Sequence, residues 1–358
     1  MAVLETHNEP VRTFRAKVRG VFHPATMREK GVMWVLSVSA LVLLLGCWIL
    51  GWYWSSEPPQ FDVARVAKQR AEATGAGGEK LGPGYVVTST VARLAETLLN
   101  KRGGYIANDM LPPGLFLDNI TNWEFGVLVT VRDAAQALRN HFARAQSQSV
   151  ENADLASAEP YFNFPNNSWL VPSSESQYRL GIEALNRFMA GLANPDSNAR
   201  FYERTDNLTQ YLSIVEKRLG SLAQRLSAST GQGMKNIDVS DRTFGAISGV
   251  ERPGATIKTP WLYIDDVFYE ARGATWALLH ILRAIESDFS TVLERKNAVV
   301  SLRLIIRALE DTQLPVFSPV VLNGDGFGIF ANYSLAMANY IARANAATID
   351  LRNLLIQG

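Results

Sequence analysis

GVMWVLSVSALVLLLGCWILGWYW, residues 31–54, runs for 24 positions without a charge. Coiled as an α-helix at about 1.5 Å per residue it would measure about 36 Å, enough to cross a hydrocarbon layer of about 30 Å. Trp34 lies near one end and Trp52, Tyr53 and Trp54 lie at the other. Amphipathic rings settle at headgroup level, so these four residues mark the membrane interfaces. Lys30 and Glu57 flank the run. It is too long for the core of a cleaved signal peptide, and no small-residue cleavage motif follows it. The stretch reads as a single transmembrane helix.

On its N-terminal side, residues 1–30 carry Arg12, Arg15, Lys17, Arg19, Arg28 and Lys30 against Glu5, Glu9 and Glu29. Short basic flanks stay in the cytoplasm, which puts the N-terminus inside and the C-terminal part outside. In a Gram-negative bacterium that is an inner-membrane protein with a periplasmic domain. Within the flank, VRTFRAKVRGVF (residues 11–22) has the spacing of a basic amphipathic helix on an anionic leaflet, and a disordered basic tail fits equally well. The whole chain has Lys+Arg 35 against Asp+Glu 34, so the exported part is close to neutral and has no electrostatic footprint for nucleic acid. The one cysteine, Cys47, lies inside the membrane run and leaves nothing outside to form a disulfide.

On the C-terminal side, Glu57-Pro58-Pro59 breaks the helix. Residues 55–84, ending in the glycine-rich TGAGGEKLGPG, read as a linker, and residues 85–358 as the periplasmic domain. Helical periodicity then dominates. Helices are predicted over 88–101, 123–146, 173–192, 201–227, 262–287, 290–311 and 327–357, with irregular connections at 108–122 and 147–171. In the fourth of these, Leu208, Leu212, Val215, Leu219, Leu222 and Leu226 form a heptad seam. The glycine-punctuated segment 229–260 marks a sub-division or a hairpin, and both stay open. The fold class is all-α: one N-terminal membrane helix followed by a multi-helix bundle with long loops.

The run TSTVARLAETLLNKRGGYIANDMLPPGLFLDNITNWEFGVLVTVRD, residues 88–133, carries GGY, ND, PPG, LDN and WEFG in close succession. It resembles the opening of a proteobacterial family of single-pass inner-membrane proteins catalogued as a domain of unknown function. The resemblance implies an inner-membrane location. It implies no activity, cofactor or functional residue.

Enzyme signatures are sparse. There is no G-x-S-x-G, S-x-x-K, H-E-x-x-H or P-loop, and the part after the membrane run has only His141 and His280. No cofactor or metal is expected. Two patches carry polar groups in suggestive patterns. Asp266 and Glu270 stand one turn apart behind Asp265, as paired carboxylates for a cation or for acid–base work would. The competing reading is an acidic first turn balanced by Lys296, Arg303 and Arg307 on the next helix. The second patch combines Asp118, Asn122, Trp123 and Glu124 with Trp169 in YFNFPNNSWLVP. Rings and amides together suit a sugar or peptidoglycan strand, and equally suit helix capping and loop sealing.

The function expected from sequence is an envelope scaffold or accessory subunit of a membrane complex. Its partners would be the lipid bilayer, other envelope proteins and peptidoglycan. The alternative is an envelope enzyme or binding protein acting on a glycan or lipid.

Overall fold

The computed structural model describes residues 24–75, 81–144, 151–194, 196–230, 258–316, 321 and 332–357. The basic segment 11–22, most of the 229–260 segment and the LNGDGFG turn lie outside them. The chain divides into two units, residues 1–54 and 55–358. In the first, α1 (Pro24–Trp54) is interrupted at Gly31, where φ is 78°. The remainder, 31–54, has mean hydropathy 2.4, and none of its most apolar 18-residue window is buried. It is long and apolar enough to span a membrane.

The second unit contains only helices among its described residues: α2 (Val63–Ala73), α3 (Tyr85–Asn100), α4 (Asp118–Ala137), α5 (Ala153–Phe162), α6 (Ser174–Ala193), α7 (Thr205–Ser227), α8 (Ile264–Asp288), α9 (Ser290–Arg295), α10 (Val299–Asp311) and α11 (Tyr333–Gln357). The all-α expectation holds. Residues 55–73, read from sequence as linker, are instead folded onto the bundle, with α2 on α3. The irregular stretch 147–171 contains α5, opened by the Asn152 side chain, which accepts from Asp154 N and Leu155 N. The helix predicted over 290–311 is broken in two at Asn297, whose φ is 52°.

The centre of the unit is the pair α4 and α8, its most extensive helix contact. Both helices carry a glycine where they cross. A Cβ on Gly126 would overlap the Glu270 carbonyl, and one on Gly273 would overlap the Trp123 carbonyl. Only hydrogen fits at either position, and the backbones approach accordingly. Contacts run 122 to 266, 126 to 270 and 130 to 274, so the two helices are parallel. α3 lies antiparallel against them, with the Val87 amide donating to Asp288 at the far end of α8 and Lys101 reaching Glu124 near the start of α4. Its Thr88 and Thr90 hydroxyls, both buried, turn back to the carbonyls of Gly84 and Val86, so a polar run can line the core. The heptad leucines of α7 are all buried, and α11 packs along that helix.

One end of the bundle therefore carries the starts of α4 and α8. α6 begins there too. Its Glu175 accepts from Asn108, in a loop fixed on Glu124, while Leu192 at its other end lies beside Gly82, just before α3. The opposite end is closed by the rings of Phe142, Phe201, Tyr211 and Phe289.

Candidate functional site

The parallel register of α4 and α8 brings parts of the two sequence-derived patches together. Asn122 Nδ2 donates to Asp266 Oδ1 at 2.7 Å and to the Asp118 carbonyl at 3.1 Å. Burial, and after it the carboxylates of Asp265, Asp118 and Glu270, push the Asp266 carboxyl up to about 6. Asp265 is also raised, by burial and by the Asp118 carboxylate. The group is a half-buried acidic corner with an amide wedged into it. No trio of metal-ligating side chains is assembled among the described residues.

Glu270 points elsewhere. Its two oxygens are held by both terminal nitrogens of Arg225 on α7, at 2.7 and 2.6 Å. The expected balance with Lys296, Arg303 and Arg307 does not form. Arg303 pairs with Glu286, and Asp266 meets Asn122 rather than a cation. The reason is that α10 runs antiparallel along the later turns of α8, which puts α7, not α10, beside Glu270. Arg225 and Glu270 contribute to a groove of about 310 Å³ that also exposes Arg132, Asp133, Glu159 and Arg218. Its cations are committed internally: Arg218 to Asp133, and Arg132 to the carbonyls of Phe162 and Phe164.

The ring-and-amide patch is not assembled. Trp123 is wholly buried and meets Trp276 at 5.1 Å between ring centroids. Trp169 is 57% exposed on the loop 163–173. Glu124 faces inward from α4. It pairs with the equally buried Lys101 at 2.7 Å and accepts the amides of Ile106 and Ala107. Burial outweighs Lys101 and the amides, and pushes its carboxyl up to about 7. Lys101 also donates to the Gly104 carbonyl. Gly103 and Gly104 have φ of 84° and 75°, so the GGY sequence is the turn that wraps the loop around Glu124. These residues build a fold element; they do not present a ligand.

The comparisons give the family. A family model described as an uncharacterized protein conserved in bacteria (DUF2333) matches residues 27–358. The chain belongs to DUF2333. No curated protein and no solved structure matches it. The GGY, ND and WEFG pieces of this DUF2333 chain are the parts of one assembly, with Glu124 from WEFG holding the amides that follow GGY and Asn108 from ND holding the Ser168 carbonyl.

A set of residues that sequence reasoning passed over fastens the segment directly after α1. Arg272 on α8 donates through Nε to both Glu57 oxygens at 2.7 and 2.8 Å. Its terminal nitrogens hold the carbonyls of Thr312, Gln313 and Leu314, which follow α10. Four residues further along the strap, the Phe61 amide donates to His280 Nε2 at 3.0 Å, and the two rings stack 4.0 Å apart. His280 Nδ1 lies 2.7 Å from the Trp276 carbonyl, which makes it the donor and leaves Nε2 as the acceptor. Burial lowers the imidazole to about 4, so the ring is neutral in this role. Gln60 is held by Arg283. The only sequence signal was Glu57-Pro58-Pro59, legible as a helix break but not as a strap.

Proposed function

We propose that this DUF2333 protein is a membrane-anchored helical scaffold or accessory subunit of the bacterial envelope. In this reading 31–54 spans the inner membrane, the N-terminus is cytoplasmic and residues 55–358 are periplasmic. The observation that carries it is the strap. Glu57, Gln60 and Phe61 are bound to Arg272, Arg283 and His280, so residues 55–62 belong to the folded helical unit and are not a free linker. A span followed at once by a folded helical unit suits a part that meets other proteins at the membrane.

The test is purification of the full chain from its own membranes in mild detergent, with topology read by a reporter fused after Gly358. Stoichiometric co-elution with another envelope protein, and reporter activity only outside the cytoplasm, is the expected result. A monomer without partners would overturn the scaffold reading, and cytoplasmic reporter activity would overturn the orientation. The alternative of a glycan- or lipid-directed enzyme has one observation in its favour, the raised Asp266 carboxyl beside Asn122. Loss of cellular function in a folded Asp266→Asn variant would move it to first place.

A further inference from the structure

The central helix α4 buries every apolar side chain it carries except two. Those two, Phe125 and Val129, are half-buried, and both lie in the groove of about 310 Å³. They stand one turn apart, and Arg132, Asp133 and Gln136 continue the same stripe of α4 along the groove. On one side of the stripe Arg132 donates to the Phe162 and Phe164 carbonyls at the end of α5. On the other side Arg218 of α7 holds both oxygens of Asp133. Among the described residues α5 and α7 make no extensive contact with each other, so the stripe is left uncovered between them. The volume falls at the lower end of the about 300–1,000 Å³ typical of small-molecule sites.

The charges of the walls decide what fits. Arg132, Arg218 and Arg225 stand with Asp133, Glu159 and Glu270, three of each sign. Each is already held. Arg225 grips Glu270 through both terminal nitrogens, Arg218 grips Asp133 at two points, and Glu159 accepts from Arg139. A charged ligand would have to pull such a pair apart and leave its other half uncompensated in a partly buried place, at a cost that offsets the new contact. A neutral ligand keeps every pair. Glu270 spends two of about four acceptor sites on Arg225 and retains the capacity to accept a hydroxyl. Gln136, Asn163 and Ser221 also line the groove, and among the described residues they carry no side-chain hydrogen bond. They belong to α4, the C-cap of α5 and α7, so each helix that bounds the apolar stripe offers it a neutral polar group.

We propose that this groove binds a neutral saccharide. A sugar ring presents an apolar face of C–H groups and a rim of hydroxyls. The face matches the uncovered parts of Phe125 and Val129, and the rim matches Gln136, Asn163, Ser221 and the acceptor sites left on Glu270. A wholly apolar ligand would desolvate those polar groups without pairing them. The site shares no residue with the ring-and-amide pattern of Trp123 and Trp169, which the fold does not assemble. It lies wholly within residues 55–358 and is independent of the scaffold reading and of the side of the membrane on which the domain stands.

The test uses the full chain in a detergent without a sugar headgroup and reads saturation-transfer NMR on neutral probes: cellotetraose, maltotetraose and tetra-N-acetylchitotetraose. Tetragalacturonate and the chitosan tetramer are the anionic and cationic counterparts. Transfer to at least one neutral probe, and less to both charged ones, is the expected result. Gln136→Ala, Asn163→Ala and Ser221→Ala combined in one chain remove the neutral hydrogen bonds and should weaken binding about tenfold or more. All three positions are exposed, so the change should not disturb folding. Ser221→Trp should fill the groove and abolish binding, while Asn339→Ala, exposed on α11, should leave it unchanged. No transfer to any neutral probe would overturn the proposal. Stronger transfer to a charged probe would overturn the ligand class, and neutral binding unaltered in the triple variant would overturn the location. Helix content is checked for each variant, and the triple variant decides the location if the tryptophan variant does not fold.

Discussion

Arg225 on α7 grips Glu270 on α8 through both terminal nitrogens, 45 residues away in sequence, and so removes one of the two carboxylates that the sequence pairs as a candidate site. The two acids of that pair have different neighbours and should respond differently to neutralisation.

Glu270→Gln leaves the half-buried guanidinium without its anion. Breaking a buried pair from one side costs about 3–5 kcal/mol, and the partial exposure of Arg225 lowers that to about 1–3 kcal/mol here. Asp266→Asn removes a carboxylate already crowded by Asp265 and Asp118, so it should leave stability unchanged or raise it slightly. Denaturant midpoints of the two single variants check this, and a larger loss for Asp266→Asn would contradict it.

His280 gives the strap a pH dependence of definite sign. Its folded value of about 4 lies below the 6.5 of a free imidazole, so its contribution is complete above pH 6.5 and is lost as pH falls toward 4. Protonation would set an N–H against the Phe61 N–H, with Arg283 the nearby cation opposing it further. The protection factor of the Phe61 amide, taken against its intrinsic exchange rate at each pH, should fall between pH 6.5 and 4. In His280→Gln, which keeps an acceptor but cannot titrate, that fall should be absent.

Gly126→Ala and Gly273→Ala each place a methyl group against a backbone carbonyl of the facing helix, where no side chain can move aside. Overpacking of this kind costs about 1–3 kcal/mol or more. Both variants should lower the melting temperature while helix content below the transition stays unchanged. Gly46→Ala, with nothing within 4 Å, should not alter the stability of the 55–358 unit.

Lys101→Met leaves Glu124 buried with only the Ile106 and Ala107 amides, and should cost about 3–5 kcal/mol at pH 8. The loss should shrink toward pH 5. Burial alone already raises Glu124, and the unpaired carboxyl can then take up a proton without leaving its amides. Adding Glu124→Gln should recover part of the loss at pH 8, a coupling that a thermodynamic cycle of the two variants measures.

The helices were legible because their signals are local. The seam from Leu208 to Leu226 and the uncharged run 31–54 each state their structure within one stretch. α5 was missed because Pro160 and the flanking Asn and Pro residues read as loop, while its single buried face of Leu155, Ala158 and Phe162 is short. The candidate site was legible in residue type but not in geometry. Asp266 and Glu270 share a helix face in sequence, yet which neighbour each meets depends on α4 and α7, which come from 144 and 45 residues earlier. Trp123 and Trp169 were grouped by composition, and the fold sends one to the core and the other to an outer loop. Arg272 was invisible for the same reason, since its partners are Glu57 and the end of α10.

The strap also sets an order of assembly. Glu57 lies 215 residues before Arg272, Phe61 219 before His280 and Gln60 223 before Arg283, so these contacts close long loops. Loop closure over such separations awaits the later partner. A growing chain exposes residues 55–62 first, directly after the membrane helix, but the groups that seat them are made only when α8 and α10 exist. The junction between anchor and domain is thus the earliest part to be synthesised and among the last to be fastened. A chain truncated before Ile264 would keep its membrane helix and carry a loose neck.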